Sequence, residues 1–252
     1  MLSAANPVTK LAAALAITVV LVLTVDWVSA SVALALELAA LPFAGVPAGR
    51  VLRRSTPIIG VALLGGVTTL LFGQDSGAVL LTVGPLELSE GACWAALAIT
   101  IRVLAVALPS VVLLSTTDPT DLADGLAQRL HLPARFVLGA LAAFRLVALL
   151  GREWRMLGHA RRARGLGGRG TAFLGPRAAA SQTFALLVQA VRRATRLALA
   201  MEARGFGAGP RTWARPSRFG GADVVLGVGG LVIAAAAVTA AVLLGTWNFV
   251  LT

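Results

Sequence analysis

From Val224 to Leu244 the chain runs 21 residues without a charged side chain. That matches the roughly 20 residues an α-helix needs to cross the hydrocarbon core of a bilayer. No water is available there to satisfy the backbone, so the segment must close its own hydrogen bonds as a helix. The rest of the chain has the same character: 58% of residues are hydrophobic, 13% are charged and tyrosine is absent. Mean hydropathy is +0.86. Soluble domains carry about 25% charged residues, so an ordinary soluble enzyme or binding domain is excluded. The chain reads as an all-α integral membrane protein.

The remaining spans follow from apolar stretches and the placement of basic residues. Leu11–Val25 is apolar, Asp26-Trp27 interrupts, and Val28–Leu41 is apolar again except for Glu37. Each half is short for a straight crossing, which leaves one long tilted helix or two short ones. Lys10 precedes the first half and Arg50, Arg53 and Arg54 follow the second. Both flanks therefore favour the cytoplasm, and two passes turning near Asp26 satisfy them. Lys10, the apolar stretch and Val28-Ser29-Ala30 also loosely fit the plan of a cleaved secretory signal. Pro57–Phe72 is a third span, with Gly60, Gly65 and Gly66 available for close helix approach. Gly73–Glu90 has acids but no base and reads as an outside loop, and Gly91–Ser115 is a fourth span holding Arg102 and Pro109. About five transmembrane helices result, four within residues 1–116 and one within 219–252. The N-terminus lies in the cytoplasm and the chain is multi-pass in the cell membrane. Glu37 and Arg102 are ionisable groups inside spans, a costly placement, and are expected to pair with each other.

Residues 117–218 form a different region. From Asp118 to Arg218 there are 17 arginines against Asp118, Asp121, Asp124, Glu153 and Glu202. So polar a block belongs in the cytoplasm. Asp118-Pro119-Thr120-Asp121 reads as a helix N-cap, a first-turn proline and an acidic first turn, opening a helix to about His131. Pro133 opens a second helix that nothing breaks before Gly165. Pro176 opens a third, running to Arg204, after a glycine-rich link over residues 165–175. The two long helices end in the same three letters, Ala163-Arg164-Gly165 and Ala203-Arg204-Gly205. Glycine after the last helical residue is the usual stop, because it enters the left-handed region without steric cost. Each motif thus presents an arginine at the negative end of a helix dipole, where its planar fork of donors suits a carboxylate-lined groove.

Chemistry within the chain is sparse. Cys93 is the only cysteine, and His131 and His159 are the only histidines, so no metal-ligand spacing exists. Lys10 is the sole lysine and no phosphate-cradling G-x-x-x-x-G-K-[ST] occurs. No catalytic residues, metal site or cofactor are therefore assigned to this chain.

With these motifs assembled, the chain resembles the transmembrane T component of energy-coupling factor transporters, the EcfT family that includes the CbiQ and BioN permeases. The resemblance rests on Asn6-Pro7-Val8-Thr9-Lys10-Leu11, where the family often has Asp-Pro-x-x-Lys, and on Ser115-Thr116-Thr117-Asp118-Pro119. Leu132-Pro133, Ala160-Arg161-Arg162-Ala163-Arg164-Gly165 and Ala200-Met201-Glu202-Ala203-Arg204-Gly205-Phe206 complete it. The resemblance implies a vitamin or transition-metal importer in which two ABC-type ATPase subunits bind ATP and magnesium, a small membrane S component captures substrate, and the T component couples them. It implies that Arg164 and Arg204, with Ala163, Gly165, Ala203 and Gly205, dock the ATPases. Arg161, Arg162, Glu202, Asp118 and Pro119 would support the coupling helices. Leu138, Leu141, Phe144, Leu187 and Val191 would face the S component.

The rival reading is a membrane-anchored arginine-rich module gripping anionic lipid or nucleic acid. The absence of aromatics alternating with the arginines speaks against nucleic acid, and long apolar stripes would be left exposed. A stand-alone secondary transporter would want polar midplane sites and internal repeats, and the sequence has neither.

Overall fold

The computed structural model describes residues 5–24, 26–45, 48–73, 79–83, 86–165, 176–209 and 212–246. Its helices are α1 (Pro7–Leu23), α2 (Trp27–Ala44), α3 (Ala48–Phe72), α4 (Glu90–Thr116), α5 (Pro119–Arg129), α6 (Ala134–Ala163), α7 (Pro176–Ala203) and α8 (Gly221–Leu243). Between α3 and α4, within the segment read as an outside loop, β1 (Val79–Val83) and β2 (Leu86–Ser89) form an antiparallel hairpin. The architecture is that of an all-α membrane protein with this one small addition. Two compact units are distinguished, Met1–Gly125 with Ser217–Thr252, and Leu126–Pro216, the division falling inside α5.

Local chemistry sets most helix starts. Asn6 caps α1 by accepting from the Val8 N–H at 3.0 Å, with Pro7 in the first turn, where its missing donor costs nothing. Asp26 caps α2 through the Ser29 N–H at 2.6 Å, Ser89 caps α4 through the Ala92 N–H at 3.2 Å, and Asp118 accepts from the Thr120 N–H at 2.7 Å. The expected pair of short helices turning near Asp26 is present: α1 has 17 residues and α2 has 18, about 26 Å each. Helices α3, α4, α6 and α8 are long and apolar enough to cross a membrane.

The third helix begins nine residues before Pro57, which lies inside it. The proline removes one backbone bond, while the Thr56 hydroxyl donates to the Leu52 carbonyl at 3.1 Å. Arg54 Nη1 ties this extension to the end of α4, at 3.3 Å from the Leu114 carbonyl and 2.9 Å from Ser115 Oγ.

The first unit packs through small residues. Ile17, Leu21, Ala33, Ala105 and Ala237, from α1, α2, α4 and α8, make one buried cluster. Val51, Leu108 and Val111 make another between α3 and α4. Without a water-driven hydrophobic effect between helices in lipid, close backbone approach supplies the packing energy. Gly230 on α8 sits so near α1 that a Cβ there would lie 2.7 Å from Ala13 Cβ. Gly66 is pressed against Thr100 of α4 in the same way, whereas Gly60 faces open space.

The expected pairing of Glu37 with Arg102 does not occur. Arg102 Nη2 donates to the Asp26 carbonyl at 3.0 Å, and both Glu37 carboxylate oxygens lack a hydrogen-bond partner among the described residues. The reason is height along the bundle: Glu37 lies 11 residues beyond Asp26 on α2, about 16 Å away, out of reach of a guanidinium held at the α1–α2 turn.

The Asn-Pro-x-x-Lys element acts as a fastener within this unit. The Asn6 N–H donates to Asp223 Oδ1, and Asn6 Nδ2 donates to Ser217 Oγ at 2.7 Å and to the Arg218 carbonyl at 3.3 Å. Asp223 Oδ2 in turn accepts from the Gly220 N–H at 2.7 Å. Lys10 Nζ donates to the Thr116 carbonyl at 3.0 Å. One short motif therefore joins the start of α1 to the start of α8 and the end of α4.

Candidate functional site

In the second unit, α6 and α7 end alike. The Arg164 N–H donates to the carbonyls of Ala160 and Arg161, both at 3.2 Å, and the Gly165 N–H to that of Arg162 at 2.9 Å. At the end of α7 the Gly205 N–H reaches the Glu202 carbonyl at 2.9 Å and the Phe206 N–H reaches the Met201 carbonyl at 3.0 Å. The latter two bonds make a Schellman cap, which uses carbonyls a helix end otherwise leaves unpaired. Both glycines are left-handed, Gly165 at φ +76° and Gly205 at φ +71°. The caps fix where each helix stops, and so where Arg164 and Arg204 stand. Both arginines are exposed, and among the described residues neither guanidinium has a hydrogen bond or ion pair within the chain.

Among the described residues, four bonds hold α6 against α7. Arg161 Nη1 donates to the Ala178 carbonyl at 2.9 Å and its Nη2 to Ser181 Oγ at 3.1 Å. Gln182, fully buried, donates from Nε2 to the Trp154 carbonyl at 2.6 Å. Arg193 Nη2 lies 2.7 Å from Glu153 Oε1. These contacts run from the end of α6 to the middle of α7. Beyond Arg193 α7 continues 11 residues to Arg204, about 16 Å, and from Val191 to Ala200 every residue is exposed.

The expected site residues separate by role. Ala163, Arg164, Gly165, Ala203, Arg204, Gly205 and Glu202 are exposed at the two tips, whereas Arg161 is spent on holding α7. Arg162 turns back along α6 to His159 Nδ1 at 3.0 Å. Asp118 and Pro119 belong to the first unit, where they start α5. Phe144, Leu187 and Val191 are exposed, while Leu138 and Leu141 are half-buried. The glycine-rich link over residues 166–175 lies outside the described residues. Sequence reasoning missed the Glu153–Arg193 pair. Its signal was available: Glu153 is the one acid between Asp124 and Glu202. Among the described residues no group of His, Cys, Asp or Glu is placed to hold a metal ion.

Apolar helices of spanning length and an arginine-rich helical pair with two exposed cationic ends define a multi-pass α-helical membrane protein. The family model described as cobalt transport protein, CbiQ, matches residues 1–213, and the chain belongs to that family. It is similar to the energy-coupling factor transporter transmembrane protein EcfT of Lactococcus lactis subsp. cremoris, with 27% identity over 213 residues, 81% of this chain and 79% of that protein. It is also similar to the EcfT of Leuconostoc gelidum subsp. gasicomitatum, with 30% identity over 158 residues, 60% of this chain and 59% of that one. The chain is a transmembrane component of the energy-coupling factor type.

Proposed function

We propose that this chain is the coupling (T) subunit of an importer for a vitamin or a transition-metal ion. Two ABC-type ATPase subunits, which bind ATP with magnesium and carry out hydrolysis, grip the tips at Arg164 and Arg204. An S component captures the substrate and rests on the apolar faces of α6 and α7, around Phe144, Leu187 and Val191. The N-terminus, α5, α6 and α7 face the cytoplasm. The observation that carries this reading is the pair of exposed, internally unpartnered arginines, each followed by a left-handed glycine at a helix end. An exposed arginine at a helix end has its planar fork of donors free to meet a carboxylate-lined groove on a partner. Stiff helices about 45 Å and 42 Å long pass displacement at their tips to whatever rests on them.

The test is co-purification in mild detergent from native membranes. Arg164→Ala with Arg204→Ala releases both ATPases while leaving the chain in the membrane, because truncating one side of a desolvated charge pair costs about 2–5 kcal/mol. Recovery of ATPases at wild-type yield with the double variant refutes the docking roles. A loss that is graded with salt and indifferent to which arginine is removed supports the lipid-gripping module instead.

A further inference from the structure

Helices α1, α2, α4 and α8 enclose a cavity of about 470 Å³, within the size range of small-molecule sites. Its wall is apolar except for Lys10 and Glu37. Lys10 Nζ donates to the Thr116 carbonyl at 3.0 Å, and its charge is offset by the nearby carboxylates of Asp223 and Asp121. Glu37 is 7% exposed, and neither carboxylate oxygen has a partner among the described residues. Arg102, the cation that would neutralise it, is held at the Asp26 carbonyl instead. A buried carboxyl group without a partner is costly to ionise, and such a group within a membrane bundle points to a ligand or partner. Phe43 and Val225 line the same cavity yet are 81% and 71% exposed, so it opens between the end of α2 and the start of α8. The rim side chains are apolar, which suits an amphiphilic molecule.

We infer that this cavity binds a lipid-soluble amine, its apolar body against Leu108, Leu226 and Ile233 and its single ammonium group donating to Glu37. An ammonium donating to Glu37 stabilises the ionised carboxylate, which no donor does among the described residues, so a cation is favoured over a neutral or anionic head. The volume is that of a whole small ligand rather than of one side chain inserted by a partner subunit. The site belongs entirely to the first unit and does not depend on the coupling role of the arginine tips.

The experiment compares three probes of equal chain length, dodecylamine, dodecanol and dodecanoic acid, on the purified chain in non-ionic detergent. Native mass spectrometry reads stoichiometry and affinity, and thermal unfolding reads stabilisation. One dodecylamine binds per chain, about tenfold tighter than dodecanol, and only the amine raises the unfolding midpoint. Glu37→Gln removes that preference. Leu226→Trp fills the cavity and weakens amine binding about tenfold with Glu37 intact. Equal binding of amine and alcohol to the wild type, a preference that survives Glu37→Gln, or no amine bound at all overturns the proposal. The head-group comparison on the wild type stands whether or not either variant folds.

Discussion

Arg193 Nη2 on α7 stands 2.7 Å from Glu153 Oε1 on α6, with the glutamate side chain 12% exposed and the arginine side chain 45% exposed. The two partners are therefore unequal, since the carboxylate is the desolvated one and its Oε2 has no partner among the described residues. Arg193→Met leaves a buried charge alone, whereas Glu153→Gln removes the charge and keeps an acceptor. The arginine variant should lose about 1–2 kcal/mol of stability, the glutamine variant less. Thermal unfolding of both in detergent checks this, and equal losses contradict the asymmetry.

The caps at Gly165 and Gly205 rest on left-handed backbone at φ +76° and +71°. Alanine in that conformation costs about 1–2 kcal/mol, which the helix avoids by fraying its last turn. Gly165→Ala and Gly205→Ala should speed amide hydrogen exchange at Arg164 and at Gly205's neighbour Phe206. Gly209→Ala, at a position with open space and no left-handed backbone, should leave both rates alone. Unchanged exchange in the first two variants means that the caps do not fix the tips.

Adjacent glycines on α8 offer an internal control. A side chain at Gly230 meets Ala13 of α1, while one at Gly229 meets nothing within 4 Å. Gly230→Val should therefore destabilise the bundle by about 1–3 kcal/mol through overpacking. Gly229→Val should stay near wild type. Matching unfolding midpoints for the two would show that α1 and α8 pack less closely than described.

Asn6 serves as both cap and fastener, its Nδ2 donating to Ser217 Oγ and the Arg218 carbonyl. Asn6→Ala loses cap and donors together and should cost about 1–2 kcal/mol. Asn6→Asp keeps the cap but gives up both donors and brings a carboxylate beside Asp223, whose Oδ1 accepts from the residue 6 N–H. It should also fall below wild type, although aspartate is common at this place in the family the chain resembles. Full stability in the aspartate variant would show that the bond to Ser217 adds nothing.

Features that depend on residues close in the chain were legible beforehand. Asp118-Pro119 announced a helix start and each Ala-Arg-Gly a helix end, because capping is settled within one turn by side chain and adjacent backbone. Spans such as α8 were legible because lipid admits few alternatives for an uncharged stretch of that length. The helix that holds the span read from Pro57 begins earlier, at Ala48, and bonds from Arg54 to α4 secure the turns ahead of the proline.

Pairing was decided by three dimensions alone. Residue types made Glu37 and Arg102 natural partners, but the depth of each along its own helix separates them and leaves the glutamate facing a cavity. Arg161 and Arg164 are indistinguishable by composition, yet where α7 crosses α6 one of them is consumed as a brace and the other remains exposed. A side chain's kind is written in the sequence. Its neighbours depend on how distant helices stack, and a linear pattern carries that only weakly because many stackings bury the same small residues equally well.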